Sequence, residues 1–403
     1  MAVRTKGTVP VDTDWYQAGA SAPPVSVPQV IDDSNGPFIG RPRAVVAGLP
    51  AYRPGKGIKQ VEAEHGISNA IKLASNENPA PPVDRIVAAI QAAANGLNRY
   101  ADHRASELRS AIAASVGVSD DQVTVGAGSS GLLQQLCMTY LEPGDEVVYP
   151  WRSFEVYPVF TTLMAGVPVP VPLDADLGLD IDGLVAAVTA RTKLLFLATP
   201  NNPIGNATRV PELRSLLERV PSDVVVCIDE AYREFLDPGF GDPVTELLPQ
   251  FPNAVVTRTF SKAHGLAGAR VGYAVGDARL IAAVDRTLLP FAVSALAQAG
   301  ALAALENPEV IAAGVNAILA ERARVEVELA AAGWTFPNHQ GNFVWLAVGP
   351  TADALALAME RNGVIVRPFS GEGIRVTIGT PGENDRFLNA LATACEDAGF
   401  TPD

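Results

Sequence analysis

Between residues 120 and 276, short apolar runs alternate with longer stretches in which apolar residues recur at helical spacing. Seven of the runs are rich in β-branched residues, and they begin at residues 123, 146, 167, 193, 224, 254 and 271. This alternation predicts an α/β fold with a mostly parallel, seven-stranded sheet and crossover helices. Because the runs are apolar at successive positions, we expect both faces of the strands to be covered.

After Asn307 the pattern changes. A long helix rich in Ala, Glu and Arg is predicted over about residues 308–332. The elements predicted after it are a strand at 342–348, a helix near 352–362, strands at 364–368 and 374–378, and a last helix from about 383. Neighbouring strands with helices outside them predict a second, smaller α+β domain.

Proline content separates the first part of the chain from the rest. Residues 1–40 contain five prolines among small and polar residues, without helical or strand periodicity, which predicts a flexible extension. The segments that we expect are this extension (1–40), an N-terminal arm that forms part of the small domain (41–75), a large domain (76–300) and a small C-terminal domain (301–403).

The composition and net charge exclude several classes of protein. Apolar residues make up 48% of the chain and charged residues 18%, as in an ordered globular enzyme. The net charge of −14 and the lack of a Lys/Arg cluster argue against nucleic acid or an anionic membrane as a partner. Three distant cysteines, Cys137, Cys227 and Cys395, are typical of reduced core residues. We therefore expect a cytoplasmic location.

Polar residues stand where three of the predicted strands end. Asp229 ends the run VVVCID, Asn202 follows KLLFLAT, and Lys262 follows AVVTRTF. In parallel sheets, ligands bind beyond the carboxyl ends of the strands. A desolvated lysine has a lowered pKa and condenses with aldehydes, whereas a buried aspartate needs a cationic partner. The pattern predicts a site that combines these two groups.

Seven motifs, in this order and spacing, resemble those of pyridoxal-phosphate-dependent aminotransferases of fold-type I. They are KLASNENP at 72, NRYAD at 98, GAGSSG at 126, ATPNNPIG at 198, IDEAY at 228, TFSKAHGLAGARVGY at 259 and GIRVTIGT at 373. The resemblance covers about residues 44–400, in the branch of histidinol-phosphate and aromatic amino-acid aminotransferases. It implies a homodimeric transaminase with pyridoxal 5'-phosphate as cofactor.

The resemblance also implies catalytic roles. Lys262 would form the Schiff base with the cofactor and move the substrate's α-proton, and Asp229 would hold the protonated pyridine nitrogen. Tyr232 and Asn202 correspond to residues that hydrogen-bond the 3-oxygen of the cofactor. Phe154 corresponds to the aromatic residue that stacks on its ring.

The remaining implied residues bind anions. Ser129, Ser130, Ser261 and Arg270 correspond to ligands of the cofactor phosphate, and Tyr100 corresponds to a tyrosine that reaches the phosphate in the neighbouring subunit. Substrate binding is implied for Tyr52, Asn202, Arg367 and Arg375, because arginine offers a planar fork for a carboxylate or phosphate. His65, His103 and His339 lack metal-ligand spacing, so we expect no metal.

Several functions stay open at this stage. The stretch WRSFEVYP resembles the phenylalanine and aromatic aminotransferase subgroup of actinobacteria, and it favours phenylalanine or tyrosine with 2-oxoglutarate as the substrates. Histidinol phosphate is the alternative, which Tyr52 would favour. A pyridoxal-phosphate-dependent decarboxylase is a weaker alternative on the same scaffold. A regulator with an aminotransferase-like domain would need a DNA-binding module, for which residues 1–40 are too few and insufficiently basic.

Overall fold

The structure, a computed structural model, describes residues 42–49 and 55–402. The predicted extension 1–40 and Tyr52 lie outside the described residues. The strands are β1 (Ile71–Lys72), β2 (Val123–Gly126), β3 (Glu146–Trp151), β4 (Val167–Pro172), β5 (Thr192–Ala198), β6 (Val225–Asp229), β7 (Ala254–Thr259), β8 (Gly272–Gly276), β9 (Phe343–Leu346), β10 (Val364–Ile365), β11 (Arg367–Phe369) and β12 (Gly373–Thr377).

Helices surround these strands in the described part of the chain. The α-helices are Ala44–Ala47, Ile58–His65, Asp84–Ala94, Ser106–Val116, Gly128–Tyr140, Val156–Leu163, Ile181–Ala186, Val210–Arg219, Pro243–Glu246, Ala278–Val284, Ala295–Leu305, Pro308–Ala331, Ala352–Arg361 and Pro381–Ala398. The last helix begins at Pro381 because Thr380 and Glu383 form a capping box, and it ends before Gly399, which has a φ of 61°. Among the described residues, no single helix is long and apolar enough to cross a membrane.

The central sheet has seven strands in the order β2-β8-β7-β6-β5-β3-β4. All neighbouring pairs are parallel except those of β8, which runs antiparallel to β2 and β7. The reason is the short connection 260–271 between β7 and β8, which contains no crossover helix. The predicted mostly parallel α/β sheet is therefore confirmed.

Helices cover both faces of the central strands. In β6, Val226 and Ile228 pack into one apolar cluster, while Val225 and Cys227 pack into another on the opposite face. Alternate side chains of a strand point to opposite faces, so both faces need apolar residues. This explains the continuous apolar runs that characterise the sequence of this sheet.

The prediction of two covered faces is wrong for β4. This strand lies at the edge of the sheet, and its first residue, Val167, is 43% exposed. Proline cannot donate a hydrogen bond to a neighbouring strand, and Pro168, Pro170 and Pro172 occupy alternate positions along β4. The sequence VPVPVP is therefore suited to an edge rather than to the centre.

The C-terminal part contains two small sheets. β12 pairs with β11 and β9 in an antiparallel sheet, whereas β10 pairs in parallel with β1. The run at 364–368, predicted as one strand, is divided between these two sheets because its first residues pair with β1 and its last residues with β12. A further apolar cluster lies under the helices Pro308–Ala331, Ala352–Arg361 and Pro381–Ala398. The exact boundaries of the four segments stay a prediction.

Candidate active site

A cavity of about 300 Å³ lies beyond the carboxyl ends of the central strands. Residues that follow β2, β3, β5, β6 and β7 line it on one side, and residues of β11 and β12 line it on the other. Parallel strands bring their carboxyl ends to one edge. Among the predicted site residues, those that line the cavity are Ser129, Ser130, Phe154, Asn202, Asp229, Tyr232, Ser261, Lys262, Arg270, Arg367 and Arg375.

Lys262 enters the cavity from the turn after β7. Its Nζ donates a hydrogen bond to the carbonyl oxygen of Ser75 at 2.9 Å. Removal from water, reinforced by the nearby positive charge of Arg375, lowers the pKa of Lys262 to about 7. A large fraction of this amine is therefore neutral at physiological pH, and a neutral amine is a nucleophile and a base.

Asp229 ends β6 and is 2% exposed. Its carboxylate accepts hydrogen bonds from two neutral hydroxyls, Tyr157 Oη at 3.1 Å and Thr257 Oγ1 at 3.2 Å. Burial raises the pKa of Asp229 to about 6, although both hydroxyls act in the opposite direction. A carboxylate that lines a cavity in this state is suited to binding a cationic group there, because the ion pair would offset its desolvation.

Tyr232 is held by residues that are distant in sequence. Its hydroxyl accepts a hydrogen bond from Asn76 Nδ2 at 2.9 Å, and its ring centroid lies 5.8 Å from Lys262 Nζ. Asn76 is buried with a φ of 51°, and its backbone N–H donates to Thr377 Oγ1 at 2.8 Å. The segment after β1 and strand β12 thus fix the phenol beside the lysine.

The predicted anion ligands form a tightly packed cradle. Helix Gly128–Tyr140 begins beside β8, and Arg270 donates to Ser261 Oγ at 3.3 Å. A Cβ atom at Gly128 would lie 2.6 Å from Arg270 Nη2, and one at Gly272 would lie 2.5 Å from the backbone nitrogen of Ser129. Gly128 needs glycine because its φ is 76°, and Gly272 needs it because the atoms it would meet belong to the backbone. The helix N-terminus, three serine hydroxyls and a guanidinium together suit an anion such as a phosphate.

The two arginines lie on paired strands. Arg367 of β11 is opposite Arg375 of β12, and both guanidinium groups lie over the ring of Phe369, at 5.7 and 5.9 Å from its centroid. Arg375 Nη2 donates to the carbonyl oxygen of Ala74 at 2.6 Å, and its Nη1 bonds to Asn202 Oδ1. The structure thus places two guanidinium groups beside an aromatic ring on this side of the cavity.

Phe154 and Tyr100 lie in different surroundings. Phe154 lines the cavity and packs edge-on against Tyr157 at 5.9 Å. Tyr100 does not line the cavity of its own chain: it is 83% exposed and stacks on Phe291 at 4.4 Å. A role for Tyr100 at a neighbouring subunit stays a prediction, and Tyr52 lies outside the described residues.

Sequence reasoning missed several residues that shape the cavity. Asn76 lies within the quoted motif KLASNENP, and Glu155 and Tyr157 lie within WRSFEVYP, but their contacts connect segments far apart in the chain. The only available signal for Glu155 was its place in the segment that follows the end of a predicted strand. Phe369 follows the predicted strand at 364–368, and nothing in its neighbourhood distinguishes it from a core phenylalanine.

The chain is similar to known proteins over most of its length. The sequence model of a family described as "Aminotransferase class I and II" matches residues 68–391. An aromatic amino acid aminotransferase of Thermobifida fusca is 46% identical over 87% of this chain and 96% of that protein. One of Streptomyces coelicolor is 45% identical over 86% and 95%. A solved histidinol-phosphate aminotransferase from Sinorhizobium meliloti, in complex with pyridoxal-5'-phosphate, matches with a TM-score of 0.82 and 28% identity, covering 90% of this chain and 99% of that one.

Proposed function

Because the chain belongs to the class I and II aminotransferase family, we propose that it moves the amino group between an aromatic amino acid, phenylalanine or tyrosine, and 2-oxoglutarate. We propose pyridoxal 5'-phosphate as its cofactor. The main observation that supports this reaction is that Lys262 and Asp229 line one cavity. The pKa of Lys262 is lowered to about 7, and Asp229 is a buried carboxylate. This combination suits proton transfer next to a bound cation.

The residues present fit pyridoxal phosphate. Its phosphate suits the cradle of Ser129, Ser130, Ser261 and Arg270. The neighbouring Gly128 and Gly272 stand where a side chain would collide with this cradle. Asp229 would hold the ring nitrogen in its protonated form, and Phe154 would cover the ring. When bound, the cofactor supplies an aldehyde that takes up the amino group and a ring that accepts electrons from the substrate's α-carbon.

The chain's own residues would orient the substrate and move its proton. Arg375, held by Ala74 and Asn202, offers a guanidinium for the α-carboxylate of the substrate. Lys262 would take the α-proton and return it, since a pKa of about 7 lets it act as base and as acid. Asn76 would keep the Tyr232 hydroxyl beside the cofactor's 3-oxygen.

Two amino donors are candidates for the substrate, an aromatic amino acid and histidinol phosphate. The relatives at 46% and 45% identity are named aromatic amino acid aminotransferases, and Phe154 and Phe369 line the cavity. Histidinol phosphate is the second candidate, because a solved enzyme of that name matches the fold with a TM-score of 0.82, although at 28% identity. The closer identity favours the aromatic substrates.

Kinetic comparison tests this preference. With 2-oxoglutarate as acceptor, kcat/KM for phenylalanine should exceed that for histidinol phosphate by at least about tenfold, or about 1.4 kcal/mol of transition-state binding. Apolar walls stabilise a phenyl ring more than an imidazole. The same enzyme batch is assayed with both donors, and release of carbon dioxide is measured in parallel. A tenfold preference for histidinol phosphate would reverse the assignment, and carbon dioxide as the main product would favour a decarboxylase.

We also propose a homodimer. Large apolar side chains are exposed on two nearby segments of the described chain, namely Leu97 (56%), Tyr100 (83%), Leu289 (69%) and Phe291 (42%). Burying this surface in a partner would be favourable. Sedimentation velocity at assay concentration should therefore give the mass of a dimer. Full activity of a species that sediments as a monomer would contradict this proposal.

We infer a cytoplasmic location from the cysteines. Cys137 and Cys227 are buried thiols, and Cys395 is partly exposed, and none of the three is in a disulfide. Free thiols are typical of a reducing compartment.

A further inference from the structure

Glu155 stands at the N-terminal end of helix Val156–Leu163, yet it does not cap that helix with its side chain. A negatively charged side chain near a helix N-terminus is stabilised by the helix dipole and by the free N–H groups of the first turn. Here the carboxylate instead binds Arg367, whose Nη2 donates to Oε2 at 2.9 Å across 212 positions of sequence. Both residues line the cavity of the candidate active site.

The two cavity arginines of β11 and β12 are therefore in different situations. Arg375 donates hydrogen bonds to the carbonyl oxygen of Ala74 and to the amide oxygen of Asn202. Arg367, on the paired strand, has a carboxylate as its partner. The side chains of Arg367 and Glu155 are 22% and 36% exposed, so they face the space that a substrate side chain would enter.

This pairing affects substrates with different charge differently. An aromatic side chain carries no charge, so it leaves the Glu155–Arg367 pair intact and packs beside neutralised groups. A distal phosphate carries a charge of about −1.5 to −2. It would have to compete with Glu155 for Arg367 while lying close to a like charge, which weakens its binding. The distal carboxylate of 2-oxoglutarate carries one charge and is disfavoured less.

We propose that Glu155 is a specificity-determining residue: its carboxylate occupies the anion-binding position on Arg367 and thereby favours an uncharged aromatic side chain over one that ends in a phosphate. The inference deepens the proposed function and rests on it. Its physical basis is repulsion between the Glu155 carboxylate and the phosphate, together with competition for an arginine that otherwise would attract the phosphate.

A second ion pair provides a matched control. Arg152, also in the segment after β3, bonds to Glu372 at the turn between β11 and β12. The two pairs thus connect the same two segments, but neither Arg152 nor Glu372 lines the cavity. Glu372→Gln therefore weakens the connection between the segments while every residue that lines the cavity keeps its charge. Glu155→Gln weakens this connection and also removes a negative charge from the cavity, while the side chain keeps nearly the same size.

The experiment compares wild type, Glu155→Gln and Glu372→Gln, each loaded with pyridoxal phosphate and checked for fold by circular dichroism. The ratio of kcat/KM for histidinol phosphate to that for phenylalanine should rise about tenfold in Glu155→Gln and stay unchanged in Glu372→Gln. Isothermal titration with two unreactive acids gives a readout without turnover. Glu155→Gln should bind 4-phosphonobutyrate about tenfold more tightly, with no gain for 3-phenylpropionate.

Introducing Glu155→Gln into Arg367→Gln tests whether the acid acts through the arginine. When Arg367 is already glutamine, Glu155→Gln should change the ratio of kcat/KM for histidinol phosphate to that for phenylalanine much less than it does in wild type. An unchanged ratio in Glu155→Gln, an equal shift in Glu372→Gln, or a full effect without Arg367 would each overturn the inference. Failure of the proposed function is distinguishable, because wild type would then not transaminate phenylalanine at all.

Discussion

Replacing Lys262 with alanine should lower kcat by roughly 10⁴-fold or more, because the variant loses both the amine that bonds to the cofactor and the group that moves the α-proton. No neighbouring lysine replaces it in the cavity, since Lys262 is the only lysine among the residues described as lining it. Wild type mixed with pyridoxal phosphate should be yellow, with an absorbance that shifts when phenylalanine is added without an acceptor. The variant should lack that covalent signature.

Lys59→Ala is the control for this experiment. Lys59 is exposed on helix Ile58–His65, so its loss removes one lysine without changing the cavity, and rate and spectrum should match wild type. Single-turnover measurements would separate binding from the proton-transfer step. Turnover of Lys262→Ala at the wild-type rate would mean that another group does the chemistry.

Asp229→Ala should retain the fold and lower kcat by roughly 10³-fold, with a smaller effect on KM. The carboxylate would no longer hold the ring nitrogen protonated, so the electrons released at the α-carbon would be less well accepted. Steady-state kinetics with phenylalanine and 2-oxoglutarate measure both constants. Asp223→Ala, at an exposed position before β6, is the matched control and should resemble wild type.

The stability of the cofactor-free Asp229 variant gives a second readout. Burial raises the pKa of Asp229 in the folded chain to about 6 from a usual 3.8, so folding loses stability as the pH rises between these two values, and the full loss remains above about pH 6. Asp229→Ala removes the cost of burying this charge but also the hydrogen bonds from Tyr157 and Thr257. Because the two effects oppose each other, the melting temperature at pH 8 should change little. A near-normal kcat combined with a large drop in melting temperature would make Asp229 a structural residue.

The sequence was most informative where chemistry coincides with a strand end. Lys262, Asp229 and Asn202 each follow an apolar run, and the topology of a parallel sheet brings such positions to one edge. The mostly parallel sheet followed from the same runs. In both cases the physical cause is local: continuous apolar residues predict a buried strand, and the next polar residue must have a functional or structural partner.

What could not be predicted depends on contacts between distant segments. The pairing of Glu155 with Arg367 spans 212 positions, and neither neighbouring sequence specifies the other. The edge position of β4 depends on strand order, which periodicity does not report. The run at 364–368 was predicted as one strand because apolar residues alone do not show that the chain changes its pairing partner after Ile365.

The pairing of β1 with β10 has a consequence for the order in which the chain folds. Leu73 N–H donates to the carbonyl oxygen of Ile365 at 2.8 Å, and its own carbonyl accepts from Thr377 N–H at 2.9 Å. Closing so long a loop is entropically costly and slow. On the ribosome, the central sheet has all of its strands once Gly276 has emerged, whereas Leu73 must wait for β10 and β12. Ser75 and Ala74, which accept hydrogen bonds from Lys262 and Arg375, are therefore expected to reach their places last, and we expect a nascent chain to become catalytically competent only after Thr377 has emerged.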